Sequence, residues 1–87
     1  MKVTKRNGNV VLYDDEKIIQ SILRANADTL AEELSEKTAA YIAGAVFARL
    51  SGEEDLFTTE DVRKCVYEML RQKGYVQTAE QYMQYRK

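Results

Sequence analysis

Two basic residues beside a turn are the first place in this sequence where chemistry could sit. Lys5 and Arg6 precede Asn7-Gly8, Lys17 follows a short acidic stretch, and Arg63 stands further along the chain. Ammonium and guanidinium groups hold phosphate oxygens through charge-assisted hydrogen bonds, so converging cations of this kind would form an anion site. A Lys-Arg pair beside a surface turn is more often a solvated hairpin end, however, and Lys17 more often a solubilising helix residue. Residue types alone leave both readings open. The chain has no histidine, which removes the usual general base, the commonest metal ligand and every Ser-His or Cys-His nucleophile pair. Its single cysteine, Cys65, lies among Val62, Val66 and Met69 and reads as a buried structural thiol. Hydrolytic catalysis is not expected. The net charge of −1 is far from the basic balance that duplex nucleic acid selects, so any phosphate must be held by a local cluster.

The elements that must position these residues follow from pattern. Val3-Thr4-Lys5-Arg6 and Val10-Val11-Leu12-Tyr13 flank Asn7-Gly8, a dipeptide that tolerates the positive φ angles of a tight turn, and predict a hairpin over the first 13 residues. Two strands alone are marginal in water, so the hairpin must lie on apolar helices. Asp14-Asp15-Glu16 supplies acceptors and negative charge for a first helix, with Ile18, Ile19, Ile22 and Leu23 at helical spacing and an end near Ala27. Ser35 can cap a second helix with the stripe Ala39, Ile42, Ala43, Val46 and Leu50, ending at Ser51-Gly52; Gly44 inside it suggests a close helix contact. Thr58 and Asp61 have capping-box spacing ahead of Val62, Cys65, Val66, Met69 and Leu70, and Gly74 ends that third helix. A shorter fourth helix, roughly Thr78 to Arg86, presents Ala79, Tyr82 and Met83. Leu56-Phe57 have room to add a short third strand. The expectation is an α+β fold, mainly α, in which a hairpin covers one end of a small four-helix bundle.

An 87-residue chain with 45% hydrophobic and 31% charged residues fits one domain with one core. No apolar run approaches the roughly 20 residues of a membrane span, and the first residues lack a signal peptide's apolar stretch, so a cytoplasmic location is expected. Thr58 and Thr59 read first as caps, with ligand contact an addition. Tyr75, Tyr82 and Tyr85 read as core-edge residues more readily than as base-stacking platforms.

The opening Val3-x-Lys5-Arg6-x-Gly8, with Asp14, Lys17 and Ile18 behind it, resembles the start of an ATP-cone, the small regulatory domain found at the N-terminus of ribonucleotide reductases. The likeness continues through Thr59-Glu60-Asp61-Val62, Gly74-Tyr75, Ala79 and the closing Tyr82-x-x-Tyr85-Arg86-Lys87, and so covers essentially the whole chain. It departs at Lys64-Cys65-Val66-Tyr67, where many cones carry an acidic residue, and at Asn7, where Asp is usual.

The resemblance implies an adenine-nucleotide site between hairpin and bundle, taking ATP or dATP with Mg2+ as allosteric effector. By that similarity Lys5 and Arg6 meet the phosphates, Lys17 and Asp14 stand at the start of helix 1, and Thr59 offers a hydroxyl near base or sugar. Val3, Val11 and Ile18 supply apolar surface, Arg63 is a more variable polar position, and Lys87 closes the pocket. Such a domain has no active site of its own. It is expected as a piece of a larger reductase, the anaerobic type preferred, with the remaining domains or subunits as partners and neither membrane nor nucleic acid among them. A cone that has kept the fold as an interaction module and lost its ligand is the alternative.

Overall fold

The computed structural model describes residues 2–4, 7–51 and 56–84. Three short strands and four helices follow in the order β1 (Lys2–Thr4), β2 (Val10–Leu12), α1 (Asp15–Ala27), α2 (Glu36–Ser51), β3 (Leu56–Thr58), α3 (Thr59–Gln72) and α4 (Val76–Gln84). The fold is α+β and mainly α, as the pattern predicts.

The strands form one mixed sheet in the order β2-β1-β3, with β2 antiparallel and β3 parallel to β1. Both pairings meet at Val3, which stands opposite Val11 on one side and Phe57 on the other. Strand side chains alternate between faces, so these three form one row. Val3 and Phe57 are buried; a one-residue slip would turn Lys2 or Thr4 inward instead. The turn differs in detail from the tight two-residue form. Pairing of Thr4 with Val10 leaves five residues between the strands, of which Lys5 and Arg6 lie outside the described residues. Gly8 takes φ of 91°, while Asn7 keeps negative φ and contributes its side-chain oxygen, which accepts from the Asn9 N–H at 3.0 Å.

The helix starts are fixed by the expected caps. Asp14 accepts from the Glu16 and Lys17 N–H groups, and Ser35 Oγ accepts from the Thr38 N–H. Thr58 and Asp61 close a reciprocal capping box on α3. Since Thr58 is also the last residue of β3, the sheet passes into α3 without a loop. Gly74, with φ of 93°, follows the α3 C-cap Lys73.

Two expectations need correction. The fourth helix begins at Val76, ahead of Thr78, because Glu32 in the α1–α2 connection caps it: its carboxylate accepts from the Gln77 and Thr78 N–H groups, each at 2.8 Å. Asn26 braces the same corner, donating to the Glu32 carbonyl and the Thr78 hydroxyl. Its expected end near Arg86 falls outside the described residues. Gly44 makes no close helix contact; it is exposed, and a Cβ built on it meets nothing within 4 Å.

The core lies where the helical stripes meet. Ile22, Ile42, Val46, Val66 and Leu70 are fully buried, Cys65 is buried among them, and Tyr82 enters from α4. Each fully buried aliphatic side chain contributes about 1.5–3 kcal/mol relative to exposure. This packing holds the starts of α1 and α3 beside the sheet.

Candidate functional site

A cleft of about 430 Å3 opens between the sheet and the starts of α1 and α3. Its walls follow from periodicity. α1 and its cap contribute Asp14, Lys17, Ile18 and Ser21, which recur at the three- and four-residue spacing of one helix face. α3 contributes Thr59, Val62 and Arg63 by the same rule. The sheet adds Val3, Val11 and Leu12, Tyr13 stands between β2 and α1, and Tyr82 reaches in from α4.

The arrangement combines an apolar body with polar ends, the usual make-up of a small-molecule site, and its volume lies within the roughly 300–1,000 Å3 of such pockets. Lys17 and Arg63 bring positive charge from two different helices. The first turns of both helices line the cleft, so the partial positive charge of each N-terminus lies beside it, although the Asp14 and Thr58 caps already take the Glu16, Lys17 and Asp61 N–H groups. Arg63 is held near Glu60, Nε to Oε1 at 4.0 Å, a separation that leaves the guanidinium able to turn to a stronger anion. Burial pushes the Tyr82 phenol up to about 12, with the nearby Arg63 charge opposing that rise, so it remains a neutral donor at physiological pH. Tyr13 is shifted upward by burial and by Tyr82 and Asp15, and its hydroxyl donates to the Ala43 carbonyl at 2.8 Å. Among the described residues no group of three or more histidine, cysteine or acidic side chains could hold a metal ion.

The comparison with protein families bears on the whole chain. Residues 1–87 match the model of the ATP cone domain. The chain belongs to the ATP-cone family. A comparison with curated proteins finds no match. ATP-cones are nucleotide-binding regulatory domains without catalytic machinery of their own. No helix among the described residues is long and apolar enough to cross a membrane.

Of the residues singled out in the sequence, this cone gathers Val3, Val11, Asp14, Lys17, Ile18, Thr59 and Arg63 around one cleft. Asp14 has a dual position, since its carboxylate caps α1 while the residue lines the cleft. Lys5, Arg6 and Lys87 lie outside the described residues; Lys5 and Arg6 follow β1 directly in the chain. Leu12, Tyr13, Ser21, Val62 and Tyr82 were not singled out as site residues and belong to the wall. Ser21 and Val62 could have been found by extending the helix faces of Lys17 and Thr59 by one turn. Tyr82 has no such signal, because one residue serves both the core and the cleft.

Proposed function

We propose that the cleft binds ATP or dATP as an allosteric effector and that the domain controls the activity or subunit association of a ribonucleotide reductase, with an anaerobic-type enzyme as the preferred parent. The observation that carries this reading is the convergence of Lys17, Arg63 and the α1 and α3 N-termini on one apolar-walled cleft in a chain of the ATP-cone family. Lys5, Arg6 and Lys87 complete the phosphate-binding set, and Mg2+ travels with the triphosphate. Adenine and ribose take the apolar part, between Val3, Val11 and Ile18, with the Thr59 and Tyr82 hydroxyls as donors. Charge-assisted hydrogen bonds contribute roughly 1.5–3 kcal/mol each, so four of them approach the ~8 kcal/mol of micromolar affinity before ordering costs. Regulation follows if the parent's assembly or activity states differ in nucleotide affinity, a coupling typically of about 1–3 kcal/mol.

Isothermal titration with ATP, dATP, GTP and CTP tests the reading. Saturable binding with preference for the adenine nucleotides is expected, without phosphate release. Equal affinity for all four would reduce the site to bare charge attraction.

A further inference from the structure

A second cavity, of about 350 Å3, lies at the far end of α3 and is lined by Lys37, Thr38, Tyr41, Lys73 and Tyr75. Thr59, the first residue of α3, borders the proposed nucleotide cleft, whereas Lys73 directly follows the last. At roughly 1.5 Å per helical residue the two ends are about 20 Å apart, and no residue lines both cavities.

Two helix caps hold this lining in place. At the start of α2, Ser35 Oγ accepts from the Thr38 N–H and donates to the Thr38 hydroxyl, each at 3.1 Å, which fixes the first turn and leaves the hydroxyl's own proton for another acceptor. At the end of α3 the chain closes a Schellman motif: the Gly74 N–H donates to the Arg71 carbonyl at 3.0 Å and the Tyr75 N–H to the Leu70 carbonyl at 2.9 Å. Lys73 and Tyr75 stand on either side of the left-handed Gly74 and are positioned by that motif, and Tyr75 also packs on the core. Lys73 Nζ rests 4.4 Å from the centre of the Tyr41 ring, a cation–π contact that joins the two walls.

The polar side chains of this cavity have a single character. Two ammonium groups and three hydroxyls can all donate, and the described lining includes no carboxylate. The arginines of α2 and α3 are each paired, Arg49 with Glu68, Arg63 with Glu60 and Arg71 with Glu80. Among the described residues, by contrast, neither Lys37 nor Lys73 has an ion-pair partner, and the Tyr41 and Tyr75 hydroxyls have no hydrogen-bond partner. The first turn of α2 adds the partial positive charge of its N-terminus. Donors left without acceptors select an oxyanion. Planar carboxylates are best met by the fork of an arginine, whereas lysines act as point charges suited to phosphate.

We propose that the cavity between the first turn of α2 and the α3–α4 connection binds a phosphate group, held by Lys37 and Lys73 with the Thr38, Tyr41 and Tyr75 hydroxyls. Free phosphate and a small phosphomonoester share this chemistry, and the volume, within the range of small-molecule sites, has room for the organic part of an ester. The site stands independently of the nucleotide reading of the cleft.

Amide chemical shifts of the 87-residue chain, followed at neutral pH and constant ionic strength, test the site with three probes: inorganic phosphate, phenyl phosphate and, as a dicarboxylate control, succinate. Saturable shifts are expected at residues 37–41 and 73–75 with both phosphates and not with succinate. Saturation by inorganic phosphate alone identifies the free ion as sufficient, and tighter binding of phenyl phosphate identifies an ester. Lys37→Gln and Lys73→Gln should each weaken binding about ten-fold or more. Tyr41→Phe, which keeps the ring beneath Lys73, should weaken it by a smaller factor, and Lys17→Ala should leave it unchanged. The same spectra show that each variant is folded. Shifts that grow linearly without saturating, an equal response to succinate, or indifference to both lysine variants would overturn the proposal. Shifts confined to residues of the nucleotide cleft, such as Lys17 and Thr59, would overturn it as well and assign the anion there, while ATP calorimetry decides the nucleotide reading separately.

Discussion

The Tyr13 hydroxyl donates to the main-chain carbonyl of Ala43 across 2.8 Å and 30 residues of sequence. The residue that joins β2 to α1 is thereby tied to the middle of α2, and one wall of the cleft is fixed to the bundle. Tyr13 is half-buried and burial holds its phenol protonated, so the bond persists over the working pH range.

Tyr13→Phe keeps the ring contact with Phe47 and removes only this hydrogen bond. A loss of about 0.5–1.5 kcal/mol is expected, a fall in Tm of several degrees for a domain of this size. Tyr13→Ala removes the ring as well and should cost clearly more. Denaturant melts of the two variants measure the difference, and equal losses would mean that the ring contributes nothing.

Glu32 gives the fold a pH dependence. Desolvation alone would raise its carboxyl, but the hydrogen bonds from Gln77 and Thr78 outweigh that and hold it below the ordinary glutamate range. A carboxyl depressed in the folded state contributes stability that is present above its unfolded value, about 4.3, and is lost as pH falls through the folded value. Glu32→Gln should therefore be less stable than wild type at neutral pH, by roughly 0.5–2 kcal/mol as for other lost helix caps, with the gap narrowing in acid. Urea titrations at neutral and acid pH test the sign. A gap that widens in acid would contradict it.

The same residue marks where sequence reasoning stops. Asp14, Ser35 and Thr58 cap helices that begin within three residues of them, so those starts are legible from local pattern. The start of α4 is not, because its cap comes from Glu32, more than 40 positions earlier. Gly44 misleads for a related reason: glycine in a helix permits close approach, but the chain alone does not say whether a neighbour is there. The cleft is legible where it follows helix periodicity, from Asp14 to Ser21 and from Thr59 to Arg63. Tyr82 is hidden, since burial at 6% exposure and a place in the cleft wall give it the same apolar-stripe signature as any core residue.

Neighbouring isoleucines on α1 separate folding from binding. Ile22 is completely buried, and Ile22→Ala should cost about 2–5 kcal/mol, enough to unfold a small domain in part. Ile18 is only partly buried and lines the cleft, so Ile18→Ala should lower ATP affinity while leaving most of the stability. Thermal melts and calorimetry on both variants give the two readouts. The opposite pattern would place the ligand elsewhere.

The cations provide the sharpest test of the proposed site. In a chain of net charge −1, only a local cluster distinguishes a triphosphate from a nucleoside. Lys17 and Arg63 already line the cleft from α1 and α3, and Lys5 and Arg6 follow β1 directly in the chain. Truncating Lys5, Arg6 or Lys17 to alanine should each cost roughly 1.5–3 kcal/mol of ATP binding, a ten-fold to hundred-fold loss. Arg63→Ala should cost less, because Glu60 competes for its guanidinium in the free protein. Folding should survive in the Lys17 variant, since an exposed charge contributes little to stability. Lys2→Ala and Lys37→Ala remove the same charge from outside the cleft and should change affinity far less. If calorimetry finds every variant weakened alike, the phosphates sense net charge and the cleft is not the site.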